Sequence, residues 1–255
     1  MGLFDKKFCD VCGEKIGLLG NRKLENGNLC KNCAAKLSPW FNERRHSSLE
    51  DIKAQLAYRD ENRQAVSAFH TTRSFGKNYK VYLDEDARKF MVTNASRLDE
   101  ANPDVLDFSQ VTGCDLDVDE DRDEIMREGP DGKEVSYNPP RYEYSYDFYI
   151  TIRVNHPYFD EMRFKLNSSS VNTGSHSMSV PTSGMHAVPG ATDYQEYVQM
   201  GKEIKEALTQ ARQEIRNEAA AAAAPKEAVK CPLCGATTFP DANGRCEYCG
   251  GPVNG

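Results

Sequence analysis

No window of this 255-residue chain approaches the run of about eighteen apolar residues that a membrane-spanning helix needs, and its mean hydropathy is −0.68. A helical bilayer span is thereby excluded. The opening residues, Met1-Gly2-Leu3-Phe4-Asp5-Lys6-Lys7-Phe8, contain no apolar signal segment, which points to a reducing, cytoplasmic setting where cysteines stay as thiols. Myristoylation of Gly2 is not expected, because Lys6 stands where that signal wants Ser or Thr. An excess of cations is also missing: 32 Lys and Arg face 39 Asp and Glu, for a net charge of −7. That balance argues against general attraction to nucleic acid or anionic lipid. Histidine is scarce, with five in the chain, and none lies near the unpaired Cys114 in sequence, so no nucleophile and base stand together. The chain is not expected to be an enzyme.

What the chain does have is cysteine in a pattern. Cys9-Asp10-Val11-Cys12-Gly13 and Cys30-Lys31-Asn32-Cys33 are spaced by seventeen residues between Cys12 and Cys30. Cys231-Pro232-Leu233-Cys234-Gly235 and Cys246-Glu247-Tyr248-Cys249-Gly250 leave eleven between Cys234 and Cys246. Two Cys-x-x-Cys pairs at ribbon distance are the signature of a four-thiolate metal site. The expected ligands are Cys9, Cys12, Cys30 and Cys33 for one ion and Cys231, Cys234, Cys246 and Cys249 for another, and the expected metal is Zn²⁺, two structural ions in all. A catalytic zinc keeps an open position and draws on His or carboxylate; four thiolates close the site. Rubredoxin-like iron fits the same ligands, whereas a redox dithiol would stand alone near a βαβ unit. Residues 1–38 and 229–255 are each too few to bury a sufficient core, so each needs a staple, and metal supplies it.

The chain in order adds an architecture. In the N-terminal module each thiolate pair is expected on a tight turn, and Asn26-Gly27 between Leu24 and Leu29 predicts a small hairpin delivering Cys30. Ser47-Ser48-Leu49-Glu50 is a capping box opening a helix over roughly 48–69. From Lys77 to Leu166 the pattern turns to strands: Asn78–Leu83 and Lys89–Val92 flank a polar turn, Cys114, Leu116 and Val118 alternate with Asp115, Asp117 and Asp119, Glu143–Val154 alternates over twelve residues, and Met162–Leu166 closes the series. Such a succession predicts a strongly bent antiparallel sheet or small barrel. Residues 167–191 are rich in Ser, Gly, Thr, Asn and Pro and predict an exposed, mobile loop. Thr192-Asp193-Tyr194-Gln195 is a second capping box, and Tyr194, Tyr197, Gly201, Ile204, Leu208, Ala211 and Ile215 form the stripe of a long helix packed on the sheet. The expected organisation is a zinc module (1–38), a connecting helix (39–72), a β domain (73–217), an Ala-rich linker (218–228) and a zinc ribbon (229–255), with flexible joints near Ser38 and Pro225.

Other candidates yield less. Cys114 falls on an apolar strand face, where a buried free thiol is the ordinary outcome. The acidic run from Asp115 to Glu124 resembles a calcium loop but carries Glu120 where the loop needs Gly and Met126 where it needs Glu, so a solvated strand face is expected. His176 and His186 stand in the Ser- and Gly-rich segment without a partner pattern.

On its Cys-x-x-Cys-Gly motif, the stretch Ile16-Gly17-Leu18-Leu19-Gly20-Asn21-Arg22-Lys23-Leu24 and Cys30-Lys31-Asn32-Cys33, the chain resembles uncharacterised bacterial proteins, best represented among Gram-positive bacteria, with an N-terminal domain of unknown function. The middle, through Tyr146-Asp147-Phe148-Tyr149-Ile150 and His156-Pro157-Tyr158-Phe159-Asp160, resembles a pleckstrin-homology or GRAM-like domain. The tail is similar to zinc ribbons appended to many bacterial proteins. The resemblance implies an α+β chain: a bent antiparallel β-barrel, pleckstrin-homology-like and capped by its C-terminal helix, flanked by two four-cysteine zinc modules. The family has no established activity. The function expected is a non-enzymatic adaptor that presents these surfaces to a protein partner. Nucleic-acid binding is the alternative: residues 1–45 carry nine Lys or Arg against five Asp or Glu, with Phe4, Phe8 and Trp40 for stacking. Lipid-headgroup binding by the barrel follows from the resemblance alone and is opposed by the acidic strand.

Overall fold

The computed structural model describes residues 7–177, 191–223, 228–241 and 243–253. The chain divides into two compact units, Met1–Arg212 and Gln213–Gly255. The first begins with a small module in which β1 (Lys7–Phe8) pairs with β2 (Lys15–Ile16), and β3 (Arg22–Lys23) with β4 (Asn28–Leu29). The Asn26-Gly27 turn closes through the Leu24 amide, which donates to the Gly27 carbonyl at 2.9 Å. Helix α1 (Lys31–Ala34) follows at once, and then α2 (Leu49–Ala68), capped by a reciprocal Ser48–Asp51 box.

Strands β5 (Arg73–Phe75), β6 (Lys80–Asp84), β7 (Lys89–Thr93) and β8 (Val105–Asp107) make one antiparallel meander, with a short helix α3 (Leu98–Ala101) between the last two. A single 3₁₀ turn, Phe108–Gln110, carries the chain into β9 (Val111–Glu124). A side hairpin of β10 (Met126–Glu128) and β11 (Glu134–Ser136) precedes β12 (Arg141–His156). This sixteen-residue strand organises the second sheet: β9 lies along one edge, while β13 (Phe159–Lys165) and β14 (Val171–Ser177) share the other.

The hydrogen-bond ladders of the two sheets stay separate, so the small barrel expected from the strand series is corrected to a mixed α and β architecture of sheets without a closed barrel among the described residues. The reason is local. Asp107 and Gln110 cap the turn reciprocally, so the chain changes sheets at Phe108–Gln110 and β8 and β9 do not pair. A second difference is β14. Its Ser- and Gly-rich composition predicts loop, yet its backbone pairs with Arg141–Tyr146, because the long β12 offers a free edge beyond the end of β13. The rest of that predicted loop, 178–190 with His186, lies outside the described residues, as does Pro225.

The alternation in β9 and β12 sets the core. Leu116 and Cys114 register with Ile150 and Ile152 on the apolar face, where Phe148, Ile150 and Ile152 are fully buried. Helix α4 (Ala191–Ala223) covers that face through Tyr194 and Tyr197 against Phe148, and through Ile204 and Leu208. Gly201 marks the closest approach: a Cβ there would lie 2.7 Å from Leu116 Cδ1. On the opposite face Asp115 pairs with Arg153 and Lys205, and Asp117 with Arg163. The first carboxylates of the acidic run are thus paired with cations, and the run as a whole is a solvated strand face, as expected.

The N-terminal four-cysteine module is not a satellite on a joint. Ser38 is buried and donates to Asp104 Oδ2 at 2.8 Å, while Trp40 packs against Tyr79 and Phe164 at 6.3 Å. The expected hinge at Ser38 is therefore corrected to a packed seam, and Trp40 is not available to stack on a base. Next to this seam His156 lies over Phe159 at 4.2 Å and edge-on to Tyr58 at 5.0 Å. Burial lowers its pKa, with nearby Asp104 opposing. Because burial disfavours the charged form in the fold while the unfolded chain protonates at the ordinary value, the unfolded state binds more protons, so this contribution is present above about 6.5 and is lost progressively as pH falls below it. His156→Phe is expected to flatten the dependence of melting temperature on pH between about 7 and about 5, which thermal scans at several pH values would read.

Candidate metal centres

Three of the four Cys-x-x-Cys pairs are built alike. In each, the glycine after the second cysteine has a positive φ, +74° at Gly13, +73° at Gly235 and +68° at Gly250, a conformation glycine adopts without strain. Its amide donates to the carbonyl of the first cysteine at 2.8–2.9 Å, and the first cysteine's amide donates to the residue after the glycine (Glu14, Ala236, Gly251) at 2.8–2.9 Å. The loop so formed turns both sulfurs to one side. Cys30 and Cys33 differ. Cys30 is the N-cap of α1, its Sγ accepting from the Cys33 amide at 3.3 Å, so a helical turn brings this pair together. The N-terminal site is thus one glycine loop plus one helix start, and the C-terminal site is two glycine loops.

In the first unit the sulfurs of Cys9, Cys12, Cys30 and Cys33 all lie within 4.8 Å of one another, with Cys12 to Cys30 at 3.7 Å. In the second the same holds for Cys231, Cys234, Cys246 and Cys249, with contacts of 3.6 and 3.7 Å. No disulfide has such a spacing. A tetrahedral ion with Zn–S bonds of about 2.3 Å sets its sulfurs roughly 3.8 Å apart, so each set fits one metal ion and would hold it with thiolates alone. The Cys30 amide also donates to Cys9 Sγ at 3.3 Å, tying the two pairs. β15 (Val229–Lys230) and β16 (Thr237–Thr238) pair beside the second site.

The thiols are electrostatically unequal. Burial acts to raise the Cys9 pKa, but the amides of Cys12, Cys30 and Val11 outweigh it and hold the thiol down at about 6. Burial, with the neighbouring sulfurs of Cys12, Cys30 and Cys9, pushes Cys33 well up. Cys246 likewise is held at about 6: burial acts upward, and the Cys249 and Tyr248 amides with the Cys234 and Cys231 sulfurs prevail. At Cys249 the Gly251 amide acts downward, but the Cys234 and Cys231 sulfurs and burial push the thiol up to about 12. Four adjacent sulfurs cannot all ionise by themselves; a divalent cation removes that restriction by supplying the missing charge.

Cys114 belongs to neither set. It is buried on β9, and burial, then the Asp115 carboxylate, push its thiol up to about 12. Protonated at neutral pH, it is a packing residue. Beneath the first site lies a polar network that motif reading misses. Asp104, fully buried, accepts from Arg59 at 2.7 Å, Ser38 at 2.8 Å and Tyr58 at 3.1 Å, while Arg59 Nε donates to the Lys36 carbonyl at 3.1 Å. Asn62 donates to Asn102 and to the Pro103 carbonyl at 2.8 and 2.7 Å. A signal was available: Ile52, Gln55, Arg59, Asn62 and Val66 step by three and four along α2, and all are buried. Polar residues fill the stripe where apolar ones are expected.

Fold and sites together define a chain with two four-cysteine centres, each able to hold one metal ion, in a mixed α and β framework. Residues 7–55, which contain the whole first centre, match the model of a family described as Domain of unknown function (DUF4428). Neither the curated proteins nor the solved structures contain a match to the chain.

Proposed function

We propose that the chain is a non-enzymatic, cytoplasmic adaptor of a bacterial, Gram-positive type, in which two zinc modules and a pleckstrin-homology-like domain offer surfaces to a protein partner. The observation that carries this reading is the closure of both sites: four sulfurs at tetrahedral spacing leave no coordination position for a substrate. The faces beside the metals support it. Leu233 and Tyr248, each the residue before the second cysteine of its loop, are 68% and 73% exposed, an apolar pair of the kind that interfaces bury. A four-stranded meander, a second antiparallel sheet built on β12 and a long helix after them support the pleckstrin-homology-like assignment.

Two measurements test it. Metal analysis of purified protein is expected to give two tightly held zinc ions per chain, and fewer sinks the site assignment. Affinity capture should then lose its partner in a version lacking residues 229–255 or carrying Leu233→Ser with Tyr248→Ser; capture indifferent to both overturns the adaptor reading. Removing residues 1–40 is a poor control, because Lys36 and Ser38 hold Arg59 and Asp104.

Nucleic-acid binding through the basic N-terminal module is the second reading, supported by cations there that have no carboxylate partner among the described residues. With Trp40 buried and Phe4 outside the described residues, Phe8, 53% exposed, is its remaining stacking residue. Binding that fails to weaken steeply with salt would exclude it. Lipid-headgroup binding by the β domain is a third, and the carboxylates of β9 oppose it.

A further inference from the structure

The turn between β2 and β3 is the most exposed large apolar feature among the described residues. It is closed by the Gly20 amide, which donates to the Gly17 carbonyl at 3.0 Å, and its two central residues, Leu18 and Leu19, are 90% and 89% exposed. The turn is held from below. Arg22 donates to the Leu19 carbonyl at 3.3 Å, and Ile16, at the turn's entry, is buried in the module's core. Two leucines are thus kept in water on a fixed support.

Cations surround the base of this turn. Lys15 precedes it on β2, Arg22 and Lys23 follow it on β3, and Arg44 donates to the Lys23 carbonyl with Arg45 beside it. None of these five forms an ion pair among the described residues, whereas Arg153, Arg163, Lys165 and Lys205 of the β domain each sit on a carboxylate. Burial, then the proximity of Arg22 and Arg45, lowers the Arg44 pKa, the mark of cations crowded together.

Charge and shape select the partner. A stable protein interface buries about 1,600 Å², far more than two side chains at the apex of a turn supply. A nucleic acid would meet the cations, but it admits aliphatic side chains only by unstacking a base step, at a cost of about a few kcal/mol per step. A bilayer surface serves both: its boundary conforms to a small apolar tip, and anionic headgroups meet the ring of Lys and Arg. The net charge of −7 does not override this, because screening limits each charge to about 8–10 Å at physiological salt, so the nearest module governs the contact. We propose that the Leu18–Leu19 turn inserts into the headgroup boundary of an anionic bilayer, with Lys15, Arg22, Lys23, Arg44 and Arg45 against lipid phosphates.

The test uses the full, zinc-loaded chain in cosedimentation with phosphatidylcholine vesicles containing about 30% phosphatidylserine, and with phosphatidylcholine alone. Sedimentation is expected with the anionic vesicles and about tenfold weaker binding to the neutral ones. The pair Leu18→Ser and Leu19→Ser, fully exposed and so neutral to folding, is expected to weaken binding about tenfold while zinc content stays unchanged. The pair Lys15→Gln and Lys23→Gln should weaken it and reduce its sensitivity to salt. Absence of sedimentation with anionic vesicles overturns the proposal. So does sedimentation that the leucine changes leave intact, or preferential binding to a DNA duplex that they do not affect.

Discussion

Removing the metal from the N-terminal centre is expected to unfold residues 7–41 and to lower the melting temperature of the first unit. The buried cluster of the module consists of Cys9, Ile16, Leu24, Leu29, Cys30, Cys33 and Leu37, with Ile52 of α2. Three of these residues are the ligands themselves, so once the sulfurs lose their shared ion the apolar remainder is too small to hold the chain. Structural zinc contributes about 10–16 kcal/mol of apparent binding free energy at neutral pH, comparable with the whole stability of an ordinary domain, about 5–15 kcal/mol. Cys30→Ser should have the same effect as a chelator. Its Sγ accepts from Cys33, its amide donates to Cys9 Sγ, and it caps α1. Hydrogen exchange at the Cys9, Gly13 and Ala34 amides checks this directly: protection is expected to vanish with the metal. Amides that stay protected in metal-free protein would show that the module stands on its own core.

Asp104→Ala is the second change expected to have a large effect. The carboxylate is fully buried and neutralises Arg59, whose side chain is 6% exposed. Taking away one partner of a buried pair strands the other, at a cost of about 3–5 kcal/mol. Ser38 and Tyr58 lose an acceptor as well. For a unit of this size the melting temperature should fall by roughly 10 °C. The pair Arg59→Met with Asp104→Leu should lie much closer to the native protein, because no charge is left alone in the interior. A double-mutant cycle by thermal melting separates the two contributions. An Asp104→Ala protein within about 1 kcal/mol of the native one would mean that Arg59 finds another partner or reaches water.

The effect of Asp104 reaches the metal site because the network spans three segments. Lys36 and Ser38 come from the end of the N-terminal four-cysteine module, Tyr58 and Arg59 from α2, and Asp104 from the chain just before β8. A loss of this carboxylate is therefore felt at the leucines and sulfurs of the module as well as in the first sheet. The same coupling explains why Trp40, which in sequence stands at the exit of the module, is packed against Tyr79 and Phe164.

Covalent and local geometry made much of this protein legible in one dimension. A thiolate pair on a glycine loop is a matter of five residues, since the positive φ of Gly13, Gly235 and Gly250 and the amide bonds they close are all contacts within the loop. The period of two in β9 and β12 and the capping box of α2 are local in the same sense; the strands and helix stand where those signals put them, although the box itself forms one residue on, between Ser48 and Asp51 instead of Ser47 and Glu50. What the tertiary structure decided depends on partners far apart in the chain. The two thiolate pairs of the first site meet through the Cys30 amide, which donates to Cys9 Sγ across twenty-one residues. The sheets stay open because the Phe108–Gln110 turn passes the chain from one to the other. β14 forms because β12 outruns β13. Arg59 and Asp104, forty-five residues apart, become a buried pair only where the module, the helix and the first sheet close on one another. The stripe of α2 marks Arg59 as inward-facing, but its partner Asp104 is set by that long-range packing alone.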